Sequence, residues 1–296
     1  MIHPDDVRRQ VGKALLNASQ TLEVQLVERL QQALAKDTHV LVSDSTNKRA
    51  AASRQLLQAI LENLQIAEQR GIPMCQDTGM ILACIDVGPD CNLSMHAIEC
   101  ALNEGITDAV ASGYFRKSVV SEPLFARTNT QTNLPAIVYW NTVHSGSLTI
   151  SLMLKGFGCE NCSKIVMLDP TASRNDVLKT VVDIVAIASG KPCPPIVVGV
   201  GIGGTMDYAA YLSKRALFRP VGQPHPDARY AALESDTLDA IQSLSIGPGG
   251  FGGSVTALAV SYEHAPTHIA GMPVAVTISC WADRKGIVVF GGSDGA

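Results

Sequence analysis

Four stretches of this sequence are dense in side chains that bind metals or move protons. The first, Gly71-Ile-Pro-Met-Cys-Gln-Asp-Thr-Gly79, sets a thiol, an amide, a carboxylate and a hydroxyl in consecutive positions. Helix stop signals precede it and an apolar run follows, and packing does not ask for such residues at a helix-to-strand turn; the plainer reading is a capped polar turn. The second is Lys155-Gly-Phe-Gly-Cys-Glu-Asn-Cys-Ser163. Its glycines let backbone approach a ligand closely, and its C-x-x-C, Cys159 to Cys162, suggests redox or metal work. In the third, Lys191-Pro-Cys-Pro-Pro195, prolines stiffen the chain around Cys193, so a ligand there loses less freedom on binding. The fourth is Ser279-Cys-Trp-Ala-Asp-Arg-Lys285, with His268 twelve residues before Cys280. A lone histidine is equally at home as a hydrogen-bonded structural residue.

Thiolates hold iron–sulfur cubanes, and three of them leave one iron open to act as a Lewis acid on an oxygen. Cys75, Cys193 and Cys280, from three separate segments, are the candidates for such a set. Their wide spacing differs from the short C-x₂-C runs of ferredoxins. A competing motif is Gly199-Val-Gly-Ile-Gly-Gly204, which satisfies G-x-G-x-x-G between an expected strand and an expected helix, Met206–Leu217. The acidic residue due about 20 residues later is missing, because that region reads Arg219-Pro-Val-Gly-Gln-Pro-His-Pro. A glycine-lined strand-to-helix turn packed close to a cluster fits the run better than a site for NAD in an oxidoreductase.

The bulk properties exclude several classes. The chain has 296 residues, 46% hydrophobic and 17% charged, which is ample for a core. Its net charge of −4 and its lack of like-charge blocks argue against nucleic acid as a partner. No run approaches the length of a membrane span, and the first residues lack the pattern of a signal peptide, so a soluble, cytoplasmic protein is expected. Eight cysteines in such a chain stay reduced and serve metals or chemistry, or pack as small apolar residues. Cys84, Cys91 and Cys100 are assigned to packing.

The elements that must position these residues follow from periodicity. Apolar side chains at helical spacing run from Val7 to Leu34, predicting helix over 4–35. Further helices are expected from about Asn47 to Gln69, between Ser94 and Gly113, and from Ser173 to Gly190. Strands are expected at Met80–Val87, Ala136–Trp140, Leu148–Leu154, Ile196–Val200, Val274–Ile278 and Gly286–Phe290. Interleaved helices and strands without repeats or a linker predict a mixed α/β fold, read as one domain over 1–296 with a helical lead of about 70 residues.

Five motifs in order resemble one family: C-Q-D-T-G at 75–79, N-T-x-T-N-L-P-A at 129–136, K-G-x-G-x-E-N at 155–161, C-P-P at 193–195 and S-C-x-A-D-R at 279–284. Together they are similar to the alpha subunit of the class I, iron–sulfur-dependent fumarate hydratases and L-tartrate dehydratases, over nearly the whole chain. The resemblance implies an oxygen-sensitive [4Fe–4S] cluster on Cys75, Cys193 and Cys280 with one iron not bound by cysteine. It implies substrate contacts at Gln76, Asp77, Arg116, Gly156, Gly158 and His268, with Asp77 and His268 orienting the hydroxyl and tuning its protonation. It implies a small dicarboxylate substrate: fumarate, toward which Glu160-Asn161 leans, or tartrate or mesaconate. It also implies a beta subunit that carries the remaining arginines, a lysine and the base. The sequence departs from the family where Phe157 replaces a usual glycine, and Cys159 and Cys162 are extra thiols read as non-ligands.

Overall fold

The computed structural model describes residues 1–291. In chain order the elements are α1 (Pro4–Gln20), α2 (Val24–Ser43), α3 (Lys48–Arg70), β1 (Met80–Val87), α4 (Met95–Ser112), β2 (Ile137–Thr142), β3 (Leu148–Lys155) and a one-turn α5 (Phe157–Glu160). There follow β4 (Lys164–Leu168), α6 (Arg174–Ala188), β5 (Ile196–Gly204), α7 (Met206–Ala216), α8 (Ala228–Ser243), β6 (Ala257–Thr267), β7 (Met272–Ser279) and β8 (Lys285–Phe290). The class is mixed α/β, as expected. The chain divides into two compact units: Met1–Leu22, Leu64–Phe157 and the segment from Asp283 on form the first, and Glu23–Asn63 with Gly158–Ala282 form the second.

The first unit is a four-stranded sheet in the order β2-β1-β3-β8. β1 pairs parallel with β2 and antiparallel with β3, which pairs antiparallel with β8. Alternate residues of β1 (Ile81, Ala83, Ile85) and β3 (Leu148, Ile150, Leu152, Leu154) share one face, because side chains alternate along a strand. That face is covered by α1, through Val7, Val11 and Leu15, and by α4, through Ile98, Leu102 and Ile106. Ser94 caps α4 by accepting from the Ala97 N–H, and the helix ends at Gly113, the limits its sequence predicts.

The second unit has a four-stranded sheet in the order β4-β7-β5-β6. Ile196, Val198 and Val200 of β5 face a core shared with Val177, Val181 and Ile184 of α6 and Leu233 and Ile241 of α8. The opposite face carries Gly199 and Gly201, where an added Cβ would overlap the Ser213 and Ala209 carbonyl oxygens of α7. The glycine run is therefore not a strand-to-helix turn. It lies within β5, and its small residues let α7 rest on the strand backbone.

One expected helix becomes two. The stripe from Val7 to Leu34 is interrupted at Thr21–Glu23, where Thr21 is extended (φ −129°). The Glu23 carboxylate accepts from the Val221 N–H at 2.8 Å, which ties the start of α2 to the second unit while α1 belongs to the first. No described helix is long and apolar enough to cross a membrane.

Candidate functional site

The C-Q-D-T-G segment is a turn between α3 and β1 whose carboxylate joins two loops. Asp77 Oδ1 accepts from the Gly79 N–H and Oδ2 from the Phe157 N–H, both at 2.9 Å. Gly79 has φ +74°, and a Cβ there would overlap the Lys155 carbonyl oxygen, so only glycine lets the turn lie against the end of β3. The C-terminus of α1 supports the same turn, with the Met74 N–H donating to the Ser19 carbonyl oxygen and Gln20 Nε2 to that of Gly71. Cys75 and Asp77 are half-buried, Gln76 is exposed and Gly156 is buried. The structure thus brings Cys75, Gln76, Asp77 and Gly156 together in the first unit. The chain continues through exposed Gly158, where an added Cβ would meet nothing.

Arg116, also in the first unit, is exposed at the base of a hairpin between α4 and β2. Val120 bridges Asn129 antiparallel, and the Thr130 N–H donates to the Val119 carbonyl oxygen at 2.8 Å. Asn133 is fully buried: its Oδ1 accepts from the Ser118 N–H at 2.7 Å and its Nδ2 donates to the Arg116 carbonyl oxygen at 2.9 Å. Asn133 thereby sets where the Arg116 backbone lies, a positioning role that its place in N-T-x-T-N-L-P does not announce.

At the tip of this hairpin Glu122 accepts backbone N–H bonds from Leu124 (3.0 Å), Phe125 (2.8 Å) and Arg127 (2.7 Å). These bonds, first from Phe125 and then from Arg127, pull its carboxyl from the ordinary 4.5 down to about 2. A lowered pKa means that the ionised form holds the tip: its contribution is full above 4.5 and is lost as pH falls through about 2. The Phe125 amide proton shift should stay constant from pH 5 to about 3.5 and move only on approach to about 2. A step centred at 4.5 would mark an ordinary carboxylate instead.

In the second unit, antiparallel pairing puts Val197 opposite Ser279. The start of β5 therefore lies beside the end of β7, and Cys193, just before the one, and Cys280, just after the other, belong to the same end of the sheet. Cys193 is exposed with φ +56°, in the left-handed region that side chains seldom adopt. Cys280 is half-buried and packs at the margin of the core.

His268 is not brought to that end. It sits exposed in the turn from β6 to β7, its Nδ1 accepting from the Ala270 N–H at 3.2 Å and its carbonyl oxygen from the Gly271 N–H. The whole of β7, Met272–Ser279, separates it from Cys280. Eight extended residues span roughly 25 Å.

The eight cysteines form no disulfide among the described residues. Cys159 and Cys162 are buried members of the second unit's core, and Cys84 is also buried. Cys91 is half-buried against the first unit's core, but Cys100 is on the solvent face of α4, where its Sγ lies 3.7 Å from His96 Nε2. The expected packing role does not hold for Cys100. Glu160 forms an ion pair with Lys214 of α7, which gives that carboxylate a structural partner. Asp283 and Arg284 of the S-C-x-A-D-R motif are almost wholly buried in the first unit, where Lys285 Nζ lies 3.1 Å from Asp283 and the Leu154 N–H donates to the Arg284 carbonyl oxygen.

No three His, Cys, Asp or Glu side chains among the described residues are grouped to hold a single metal ion. Ligands of a cubane bind separate irons and stand farther apart than ligands of one ion. Two thiols at one sheet end, outside any disulfide, suit that wider demand.

The sequence profile of the fumarate hydratase (Fumerase) family matches residues 8–289. The chain belongs to this family. It is an enzyme chain of the hydro-lyase class. It is 42% identical over 241 residues to a Methanocaldococcus jannaschii protein provisionally named L(+)-tartrate dehydratase subunit alpha, covering 79% of this chain and 84% of that one. It is 31% identical over 234 residues to the L(+)-tartrate dehydratase subunit alpha of Escherichia coli K12, covering 78% and 76% respectively. Membership gives the hydro-lyase chemistry, and the glycine run of β5 is accounted for by contact with α7 rather than by a dinucleotide.

Proposed function

We propose that this chain is the alpha subunit of a [4Fe–4S] hydro-lyase that reversibly removes water from a four-carbon hydroxydicarboxylate, and that Cys75, Cys193 and Cys280 hold the cluster. The observation that supports the proposal is the β5–β7 register, by which the segments carrying Cys193 and Cys280 meet at one sheet end although 86 residues separate them in sequence. Bound there, the cluster supplies an open iron as a Lewis acid for substrate oxygens.

The chain's own residues do the rest. Arg116 takes a substrate carboxylate through two parallel N–H contacts. Gln76 and Gly156 line the turn at Cys75. Asp77 orients the substrate hydroxyl and holds the turn against the Phe157 N–H, so the two loops keep one spacing. The base that takes the carbon-bound proton comes from a beta subunit.

Fumarate/malate is one substrate reading, matching the name of the family. Tartrate is the second, favoured by the names of the relatives. Anaerobic reconstitution of the chain should yield about four irons and four sulfides with visible absorption, lost on exposure to air. Paired with its beta subunit, it should turn over fumarate or L(+)-tartrate, and alone neither. One zinc per chain, or full turnover by the chain alone, would contradict this reading.

A further inference from the structure

The hairpin that carries Arg116 is built more firmly than a surface loop requires. Glu122 ties its tip with three backbone bonds, Asn133 clamps its base, and Asn129 Nδ2 donates to the Lys117 carbonyl oxygen at 2.8 Å. Of the seven non-glycine residues with positive φ among the described residues, four (Tyr114, Arg127, Gln131 and Asn133) are in this one segment. Such backbone persists only where its surroundings hold it, and it collects at functional surfaces. Yet this frame holds apolar groups out in water: Tyr114 is 80% exposed, Leu124 71% and Phe125 86%. Between residues 114 and 133 there are three cations, Arg116, Lys117 and Arg127, against one anion, Glu122, a balance of +2 on a chain of net −4.

We infer that this hairpin is the seat of the partner subunit, which presents an apolar hollow for Leu124 and Phe125 rimmed by carboxylates for Arg127 and Lys117. The inference rests on the alpha-subunit reading for the existence of that partner. Tyr, Phe and Arg are enriched at protein interfaces relative to the rest of the surface. A preformed hairpin loses little freedom on docking, and burial of its tip removes apolar surface from water. The cationic excess favours an acidic face over an unselective one and makes association sensitive to salt. Because Arg116 stands at the base of the same hairpin, a partner seated there also shields the substrate carboxylate contact from water.

The test uses the full chain co-expressed anaerobically with its beta subunit, compared with a Leu124→Ser/Phe125→Ser double variant and an Arg127→Glu variant. Both tip residues are exposed, so the thermal midpoint of the isolated double variant should match that of the parent chain. Its association with the beta subunit, read by light scattering and titration, should weaken at least about 30-fold. The Arg127→Glu variant should associate more slowly at low salt and lose the parent's salt dependence. Parent-like assembly of the double variant would overturn the inference, as would a variant that loses only self-association, which would assign the surface to a second copy of this chain. A parent pair that assembles through this hairpin without hydro-lyase turnover would sink the function and leave the surface; turnover and assembly both intact in the double variant would do the reverse. No assembly by the parent pair would overturn both.

Discussion

Gly201→Ala should disrupt the second unit's sheet-to-helix contact, at a stability loss of about 3 kcal/mol. The added methyl would overlap the Ala209 carbonyl oxygen and press within 2.5 Å of the Ser213 amide nitrogen, both backbone atoms of α7. Backbone cannot turn aside as a side chain can, so α7 would have to lift from β5. That lift would expose Tyr211, Leu212 and Ala216 and break the 2.6 Å hydroxyl contact between Ser213 and Thr277 of β7. Gly271→Ala is the control: nothing lies within 4 Å of its added Cβ, so its urea midpoint should stay within about 0.5 kcal/mol of the parent. The same experiment separates two uses of the glycine run. If Gly201→Ala left stability unchanged and abolished binding of NAD by the parent, the run would be a nucleotide turn after all. Absence of NAD binding by the parent together with a large stability loss is the expected pair of results.

Much of the scaffold was legible because local signals and tertiary packing agree. Met80–Val87 is an apolar run with glycine on each side, and it is β1 to the residue. Ser94 and Gly113 bound α4, and Ser173 caps α6 by accepting from the Asp176 N–H. The break between α1 and α2 was hidden because the apolar stripe continues through it; the cause is a long-range bond from Val221 to Glu23 that no local pattern carries. β5 runs four residues past Val200 because glycine has poor strand propensity and so does not announce a strand, although here the helix above demands it. α8 carries a readable signal of its own, with Asp227 capping it and Leu233, Leu238 and Ile241 among its apolar residues.

The site was legible in types rather than in distances. Cys193 and Cys280 are far apart in sequence and belong to one sheet end through strand pairing, whereas His268 and Cys280 are twelve residues apart and held away from each other by an extended strand. Short sequence separation across a β-strand means long physical separation, since each residue advances the chain about 3.3 Å. Asp77 shows the opposite effect. Its bond to the Phe157 N–H spans 80 residues of sequence, so the C-Q-D-T-G segment and residues 155–157 are two sides of one construction in the first unit.

Cys193→Gly should separate the chemistry of this position from its contribution to folding. At φ +56° the Cβ of Cys193 crowds the backbone, at a cost of about 1 kcal/mol that glycine does not incur. Cys193 is exposed while Pro192, Pro194 and Pro195 beside it are buried. A thiol in a strained, exposed position is what the proposed ligand role asks of Cys193. The cluster-free variant should therefore match or exceed the parent in urea midpoint, by up to about 1 kcal/mol. After anaerobic reconstitution it should lack the parent's visible absorption, and paired with the beta subunit its turnover should fall at least about 100-fold. Cys193→Val should lose the cluster equally and also lose stability, since a β-branched residue suits that φ worst. Full absorption in Cys193→Gly would remove Cys193 from the ligand set. A stability loss in the cluster-free glycine variant would show that the Cys193 side chain serves the fold.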